Sequence, residues 1–453
     1  MGVNSTAGVA PGALPLFGHA LPLLYDPLGF LISLPDHGDL VHIRIGPLKA
    51  IVVCRPELVR QVLLNDRIFD KVGPIFDRSR EAFGNGLASC PHSQHRRQRR
   101  LVQPAFHPAR FPGYAQVMTR HITALTTSWQ DGQILDVLTE MMTLSGRIAI
   151  ETMFSDALPS AALRPVLNDF NTILTGIYIH TIVPPQLDKF LIVGNRRFSQ
   201  ARARMHQVIH RVIATHRASG ADSGDLLSTL LTAPDPTENE SLSDAEIVDQ
   251  VMTFFLAGSE TTANTLAWAS YLLAHHPDVE HQLHTEADAV LGGAAARFDD
   301  LPKLELAGRV VLETLRMYPP AWSLPRTASI DTSLGGHPIP AGTILVWSPY
   351  LIHHLPDVYP DPDRFDPDRW TEGHPAPPPR EAFIPFAAGA RKCIGDTFAI
   401  TEATLALATL AARWRLQLLP HQHVRPSRSV VLYPRGLRMR ATQRGKWRTT
   451  RHR

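Results

Sequence analysis

Cysteine is scarce: Cys54, Cys90 and Cys393 are the only three in 453 residues. An odd number, widely spaced, excludes a disulfide framework and any CxxC zinc site, and it suits a reducing compartment. Basic residues are missing from the amino end, where no Lys or Arg precedes Arg44, so a secretory signal peptide lacks its charged start. Long apolar runs are missing too. The stretch from Pro11 to Leu24 is broken by Pro11, Gly12, Pro15, Gly18 and Pro22, short of the roughly 18 uninterrupted residues of a membrane-crossing helix. A large net charge is also lacking, at +3 overall. Eight basic residues and no acid lie between Arg435 and Arg453, and removing those eight leaves −5 on the first 434 residues. A mildly acidic body without a nucleic-acid-binding motif is not a nucleic-acid binder. These absences predict a cytoplasmic protein without a transmembrane anchor.

The remaining composition, 44% hydrophobic and 19% charged, is that of a globular protein. Residues 40–54 alternate around Gly46-Pro47 and predict two short strands in a hairpin. From about Pro56 to His276 helical patterns dominate, with loops predicted at 71–93 and 232–242. A helix is predicted over 302–318, stopped by Pro319-Pro320, and a last one from about Ile394 to Trp414. Short strands follow near Ser429–Leu432 and Leu437–Arg440. Between them, 321–385 is proline-rich and irregular, and so much ordered irregularity inside a compact chain is usually functional. The expectation is a single large domain, mainly α with small β-sheets.

Three constellations carry chemistry. Ser243-Asp244-Ala245-Glu246 is a capping box for a long helix running to about His276, apolar nearly all round at Met252–Ala257. Inside it, Ala257-Gly258-Ser259-Glu260-Thr261-Thr262 places a glycine and a carboxylate where both cost stability. Two readings stand: Thr261 bonds the carbonyl four residues back at a kink, or the helix opens locally and Glu260 and Thr261 deliver protons to something bound there. Glu313 and Arg316, at i,i+3 in an apolar helix, read as a buried ion pair with Arg369 as a third member. Cys393 follows Phe386-Ala387-Ala388-Gly389-Ala390-Arg391-Lys392 and precedes the last helix. Glycines that admit backbone N–H groups, a helix N-terminus and a nearby arginine all suit a metal-bound thiolate.

With these residues in place the chain resembles the cytochrome P450 family of haem-thiolate monooxygenases. Phe386, Gly389, Arg391, Cys393 and Gly395 match the family's haem signature, while Glu313–Arg316, Pro367–Trp370 and Ala257–Thr262 match three further motifs in order. The resemblance runs from about Pro11 to Arg440. It implies a monooxygenase domain over residues 11–440, a flexible start at 1–10 and a basic tail at 441–453. It also implies haem b between the long central helix and the cysteine loop, with Cys393 as axial ligand and Phe386 packed beside it. Glu260 and Thr261 become the catalytic proton relay, and His95, Arg99, Arg326 and Arg391 the partners of the haem propionates. The substrate pocket is assigned to Phe76, Thr253, Phe254, Ala257, Ala321, Trp322, Ser323, Val430 and Val431. O2 and NAD(P)H are the implied co-substrates, with electrons delivered by a ferredoxin and a ferredoxin reductase, and Arg96, Arg97, Arg99 and Arg100 offer a docking face. A monomer acting on a small apolar substrate is expected. The amino-terminal Ala10–His19 run, Asn195–Phe198 and the Gly258–Thr262 wording are similar to actinobacterial terpene oxidases. That narrower resemblance points to stepwise oxidation of a methyl group in a pentalenene-like cyclic sesquiterpene, through alcohol to aldehyde or acid. A fatty-acid or other secondary-metabolite hydroxylase and a haem-thiolate sensor remain as alternatives. Retention of Glu260 and Thr261 favours O2 over peroxide.

Overall fold

The capping box at Ser243 is formed. Ser243 Oγ accepts from the Glu246 N–H at 3.3 Å, and the Glu246 carboxylate accepts from the Ser243 N–H at 2.9 Å. The helix it starts, Asp244–His275, is 32 residues long and crosses the interior, about 48 Å at 1.5 Å per residue. The computed structural model describes residues 6–155, 192–219, 225–232, 241–374, 377–379, 381–427 and 431–445, with isolated positions between 165 and 176.

Helices Val137–Phe154, Glu305–Met317 and Asp396–Arg413 pack on the central helix, and Phe111–Ser128 packs on the first and last of these. Their apolar faces build one continuous core with the carboxyl half of the central helix, around Ala263, Leu266, Ala267 and Leu272. A second core, around Val251, Met252, Phe254 and Phe255, joins the amino half to helix Ile192–Ser219, which carries the Asn195–Phe198 segment. Trp268 stacks on Tyr318 with centroids 3.8 Å apart and donates its indole N–H to the Leu432 carbonyl at 3.0 Å. That satisfies the one polar atom of a fully buried ring.

The expected hairpin is present, with Leu40–Ile45 antiparallel to Leu48–Val53. It lies within a six-stranded sheet whose spatial order is Ala7–Val9, Leu40–Ile45, Leu48–Val53, Ile344–Trp347, Leu324–Ala328, Phe69–Asp70. A three-stranded sheet pairs Arg438–Gln443 with both Trp414–Leu418 and Ile134–Asp136.

Several expectations are corrected. The 71–93 loop contains a helix, Pro74–Phe83, whose charged sequence hides any apolar period. The expected flexible start includes a strand, because Ala7–Val9 pairs in parallel with Leu40–His42. The basic end is fastened to the body as far as Arg444, which forks onto Asp288 at 2.6 Å. Of the strand expected near Ser429–Leu432 only Val431 and Leu432 are described, and the Leu432 N–H donates to the Pro320 carbonyl at 3.0 Å; close by, Pro434–Arg435 pairs with Arg425–Pro426. Most of the 232–242 loop and Ser429 lie outside the described residues.

The Glu313–Arg316 pair is fully buried, and Arg369 approaches the same carboxylate at 3.6 Å. Glu313 also accepts from the Asp366 N–H and the Trp370 indole, while Arg316 donates to the carbonyls of His353, Pro362 and Arg364. With those added bonds a buried ion pair becomes affordable, and its role is to fasten helix Glu305–Met317 to the irregular segment before the cysteine loop.

Candidate active site

The cysteine loop is shaped by backbone constraints. The Cys393 N–H donates to the Phe386 carbonyl at 2.9 Å, closing the turn. Gly389 takes φ +69°, and a Cβ there would lie 2.6 Å from the Leu63 carbonyl oxygen, so only glycine fits both demands. Helix Asp396–Arg413 begins three residues after Cys393, with Gly395 at its N-cap. The Gly395 N–H is directed at the sulfur and lowers the thiol pKa, but burial, the larger effect, raises it. Protein surrounds Cys393, yet its surface is open to an internal cavity of ≈ 320 Å³. Cys54 and Cys90 are sealed in packed surroundings that push both thiols up.

The cavity lies between the cysteine loop and the central helix. Thr253, Phe254, Ala257, Gly258 and Thr261 line one side, and Phe386, Cys393 and Ile394 the other. The central helix does not open at Thr261. Its hydroxyl donates to the Ala257 carbonyl at 2.6 Å and the helix runs through unbroken, which leaves the hydroxyl oxygen as an acceptor on the cavity side. Glu260 sits one position along, outside the lining, where burial raises its carboxyl pKa to about 7.

One pole of the cavity is cationic. Lys71, His95, Arg99, Arg326 and Arg391 all line it. Arg391 is already neutralised: it pairs with Asp66 at 3.1 Å and Asp70 at 2.9 Å and donates to the Cys90 carbonyl. Arg99 donates to the Lys392 carbonyl and so braces the cysteine loop. Arg326 has no carboxylate partner among the described residues. It is 4% exposed and donates to the Pro325 carbonyl at 2.9 Å; burial, then Arg391, lower its pKa to about 10. Lys71 donates to the Ala88 carbonyl at 2.5 Å, and burial followed by Arg326 and Arg391 pull its pKa well down. Burial, Arg391 and Lys71 likewise hold His95 neutral, at about 3. A buried cation without an anion is costly. Arg326 in that condition, with the amine of Lys71 beside it at one end of an apolar cavity and a thiol at its side, fits a flat apolar cofactor carrying acidic substituents, and haem has that character. Cys393 would then ligate its iron, Arg326 and Lys71 would meet its carboxylates, and Arg391, Arg99 and His95 would shape the pole.

Of the nine pocket residues expected, Thr253, Phe254, Ala257 and Ala321 line the cavity. Phe76 is buried on helix Pro74–Phe83 and Trp322 packs against the core of the six-stranded sheet; neither reaches the cavity, nor do Ser323 and Val431. Val430 lies outside the described residues. Lys71, Leu87, Ala88 and Trp347 line it without having been singled out in sequence. Lys71 directly follows the strand Phe69–Asp70, the only local sign of its place. On the arginine-rich helix His92–Val102, Arg97 pairs with Glu246 at 2.6 Å, which leaves Arg96 as the exposed arginine.

The cytochrome P450 family model matches residues 10–439. The chain is 46% identical to cyclooctat-9-en-7-ol 5-monooxygenase of Streptomyces melanosporofaciens, over 92% of this chain and 90% of that one. It is 44% identical to pentalenene oxygenase of Streptomyces avermitilis, over 97% and 98%. Among solved structures, the haem domain of cytochrome P450DA superposes with a TM-score of 0.88 at 28% identity, covering 98% of this chain and 99% of that one. No described helix is long and apolar enough to cross a membrane. The thiol loop, the cationic pole and the unbroken agreement along the chain lead to one conclusion: this protein belongs to the cytochrome P450 family and is an oxygen-incorporating, haem-thiolate oxidoreductase.

Proposed function

We propose that this enzyme oxidises an unactivated C–H bond of a cyclic terpene, with a methyl group of a pentalenene-like sesquiterpene as target and successive oxidation to alcohol and then aldehyde or acid. The observation that carries the reading is a cavity walled by Leu87, Phe254, Ala257, Ala321 and Leu324 that opens on both Cys393 and Thr261. A wall of that kind holds a hydrocarbon by burial and orients it by shape. Two relatives named for terpene oxidation, each more than 40% identical, support the same substrate class.

Haem supplies the O2 chemistry when bound, and cysteinate ligation favours O–O cleavage. The chain's own residues do the rest. Cys393 gives the thiolate, with the Gly395 N–H donating to its sulfur. Thr261 Oγ1, anchored on Ala257, accepts a hydrogen bond from a protonated group in the cavity. Glu260, at about 7, gains and loses its proton near neutrality, as a proton donor at working pH requires. Electrons come from NAD(P)H through a ferredoxin and its reductase. The exposed Arg96 lies on the helix whose Arg99 touches the cysteine loop, which favours an acidic donor docking there.

Two measurements test the reading. The reduced protein under carbon monoxide gives a Soret band near ~450 nm, and Cys393→Ser abolishes it. Turnover with surrogate ferredoxin and reductase on pentalenene, cyclooctat-9-en-7-ol and fatty acids is then followed by product mass spectrometry. Oxidation of fatty acids alone overturns the terpene assignment.

A further inference from the structure

We propose that Gln98 and Gln250 are positioning residues that hold the segment 84–88 as a fixed wall of the substrate pocket and thereby set where the substrate is oxidised. Leu87 and Ala88 from this segment line the cavity beside Thr253, Phe254 and Ala257. Two buried amides bond the backbone of this segment at both of its ends. The Leu87 N–H donates to Gln250 Oε1 at 3.1 Å, Gln250 Nε2 donates to Gln98 Oε1 at 2.9 Å, and Gln98 Nε2 donates to the Asn85 carbonyl at 2.9 Å. The chain of bonds therefore leaves the segment at Leu87 and returns to it at Asn85. Gln250 is 0% exposed and Gln98 3%, so water does not compete for these groups and each bond is made where losing it is costly.

A second set of contacts presses the same segment onto the central helix. The Asn85 N–H donates to Asp249 Oδ2 at 2.9 Å. At Gly86 a Cβ would lie 2.1 Å from Thr253 Oγ1 and 2.6 Å from the Asp249 carbonyl oxygen. The backbone thus touches the helix with no room for a side chain. Beyond it, the Ala88 carbonyl accepts from Lys71 at 2.5 Å, which ties the wall to the cationic pole. Gln98 stands on helix His92–Val102 with His95 and Arg99, and Gln250 on the central helix with Thr253, Ala257 and Thr261. The amide pair therefore fixes the wall relative to both helices that face the cofactor site. An apolar substrate offers no hydrogen bond to direct it, so its pose depends on the placement of such walls. A displacement near 1 Å can change the rate at a given carbon by about 10²-fold.

The proposal rests on this cavity being the substrate pocket, and its test separates the two ideas. In haem-loaded protein, hydrogen exchange is measured at the Asn85 and Leu87 amides for wild type, Gln250→Met, Gln98→Met and Gly86→Ala. Loss of the amide bonds is expected to lower protection of the Leu87 amide about tenfold or more, with the carbon-monoxide band and haem content unchanged. Unchanged protection in Gln250→Met overturns the proposal whatever the substrate is. With pentalenene as probe, or whichever terpene the wild type turns over, the same variants are expected to spread oxidation over additional carbons. They are also expected to raise KM with little change in kcat. Lost protection together with an unaltered product ratio overturns the specificity role while leaving the pocket assignment standing. A uniform fall in haem content and in all products would show a merely structural role and also overturn the proposal.

Discussion

Glu402 offers a test of the packing that does not depend on catalysis. It is 0% exposed on helix Asp396–Arg413, accepts a hydrogen bond from Ser145 Oγ at 2.6 Å, and has no partner for Oε2 among the described residues. Burial raises its carboxyl from 4.5 to about 8, with the Ser145 bond only partly opposing. The folded protein therefore keeps a proton that the unfolded chain releases above pH 4.5. Stability is lost as pH rises through that window, at about 1.4 kcal/mol per pH unit. Glu402→Gln preserves volume and the acceptor for Ser145 but has no proton to lose. The perturbation is measured by urea unfolding of the haem-loaded protein at constant ionic strength, comparing variant with wild type from pH 5 to 7.5. The stability difference is predicted to widen in favour of the variant by about 3 kcal/mol across that range. Parallel curves would refute the reasoning, since they would mean that Glu402 is ionised in the native state or never buried.

Other predictions address the scaffold and the site. Glu313→Gln leaves Arg316 buried without its anion and should cost about 3–5 kcal/mol, read as a fall in thermal midpoint with loss of haem. Glu260→Gln should slow terpene turnover by about 10² or more. In wild type the pH profile should carry an inflection near 7, and in the variant that inflection should disappear; its persistence would assign it elsewhere. Arg326→Met should accelerate haem transfer to an acceptor protein by about tenfold or more if Arg326 holds a haem carboxylate as proposed, whereas exposed Arg96→Met should leave the rate unchanged.

Much of the site could be read from local sequence. The cysteine loop was legible because its constraints are local: Gly389 must take a positive φ and the next helix starts at Asp396. The capping box and the Glu313–Arg316–Arg369 cluster were legible for a related reason, since polar groups in apolar surroundings must find partners. What escaped was set by tertiary approach. Lys71 looks like any surface lysine until Ala88, Arg326 and Arg391 surround it. Gln98 and Gln250 are unremarked in sequence because their meaning lies in each other, 152 residues apart. Helix Pro74–Phe83 carries Asp77, Arg78, Arg80 and Glu81 with no apolar repeat, and its Arg80 instead holds the carbonyls of Lys71 and Ser89. Phe76 is buried on that helix and is not among the residues that line the cavity. Thr261 shows the limit of a motif: its spacing announces the residue, but only geometry shows its hydroxyl bonded back to Ala257 in an unbroken helix.

The six-stranded sheet has a consequence in time. Val53 and its neighbours in the first hairpin find their parallel partners only at Ile344–Trp347. At about 5–20 residues per second those partners leave the ribosome roughly 15–60 s later. Until then an inner edge of β-structure rich in Ile and Val stays unpaired, the condition under which nascent chains aggregate. The same waiting applies to Ile134–Asp136, whose partner strand begins at Arg438. Synthesis rate and chaperone supply, rather than final stability, would then govern how much folded enzyme a producing cell obtains. Slowing translation before Ile344 is where that yield should be most sensitive.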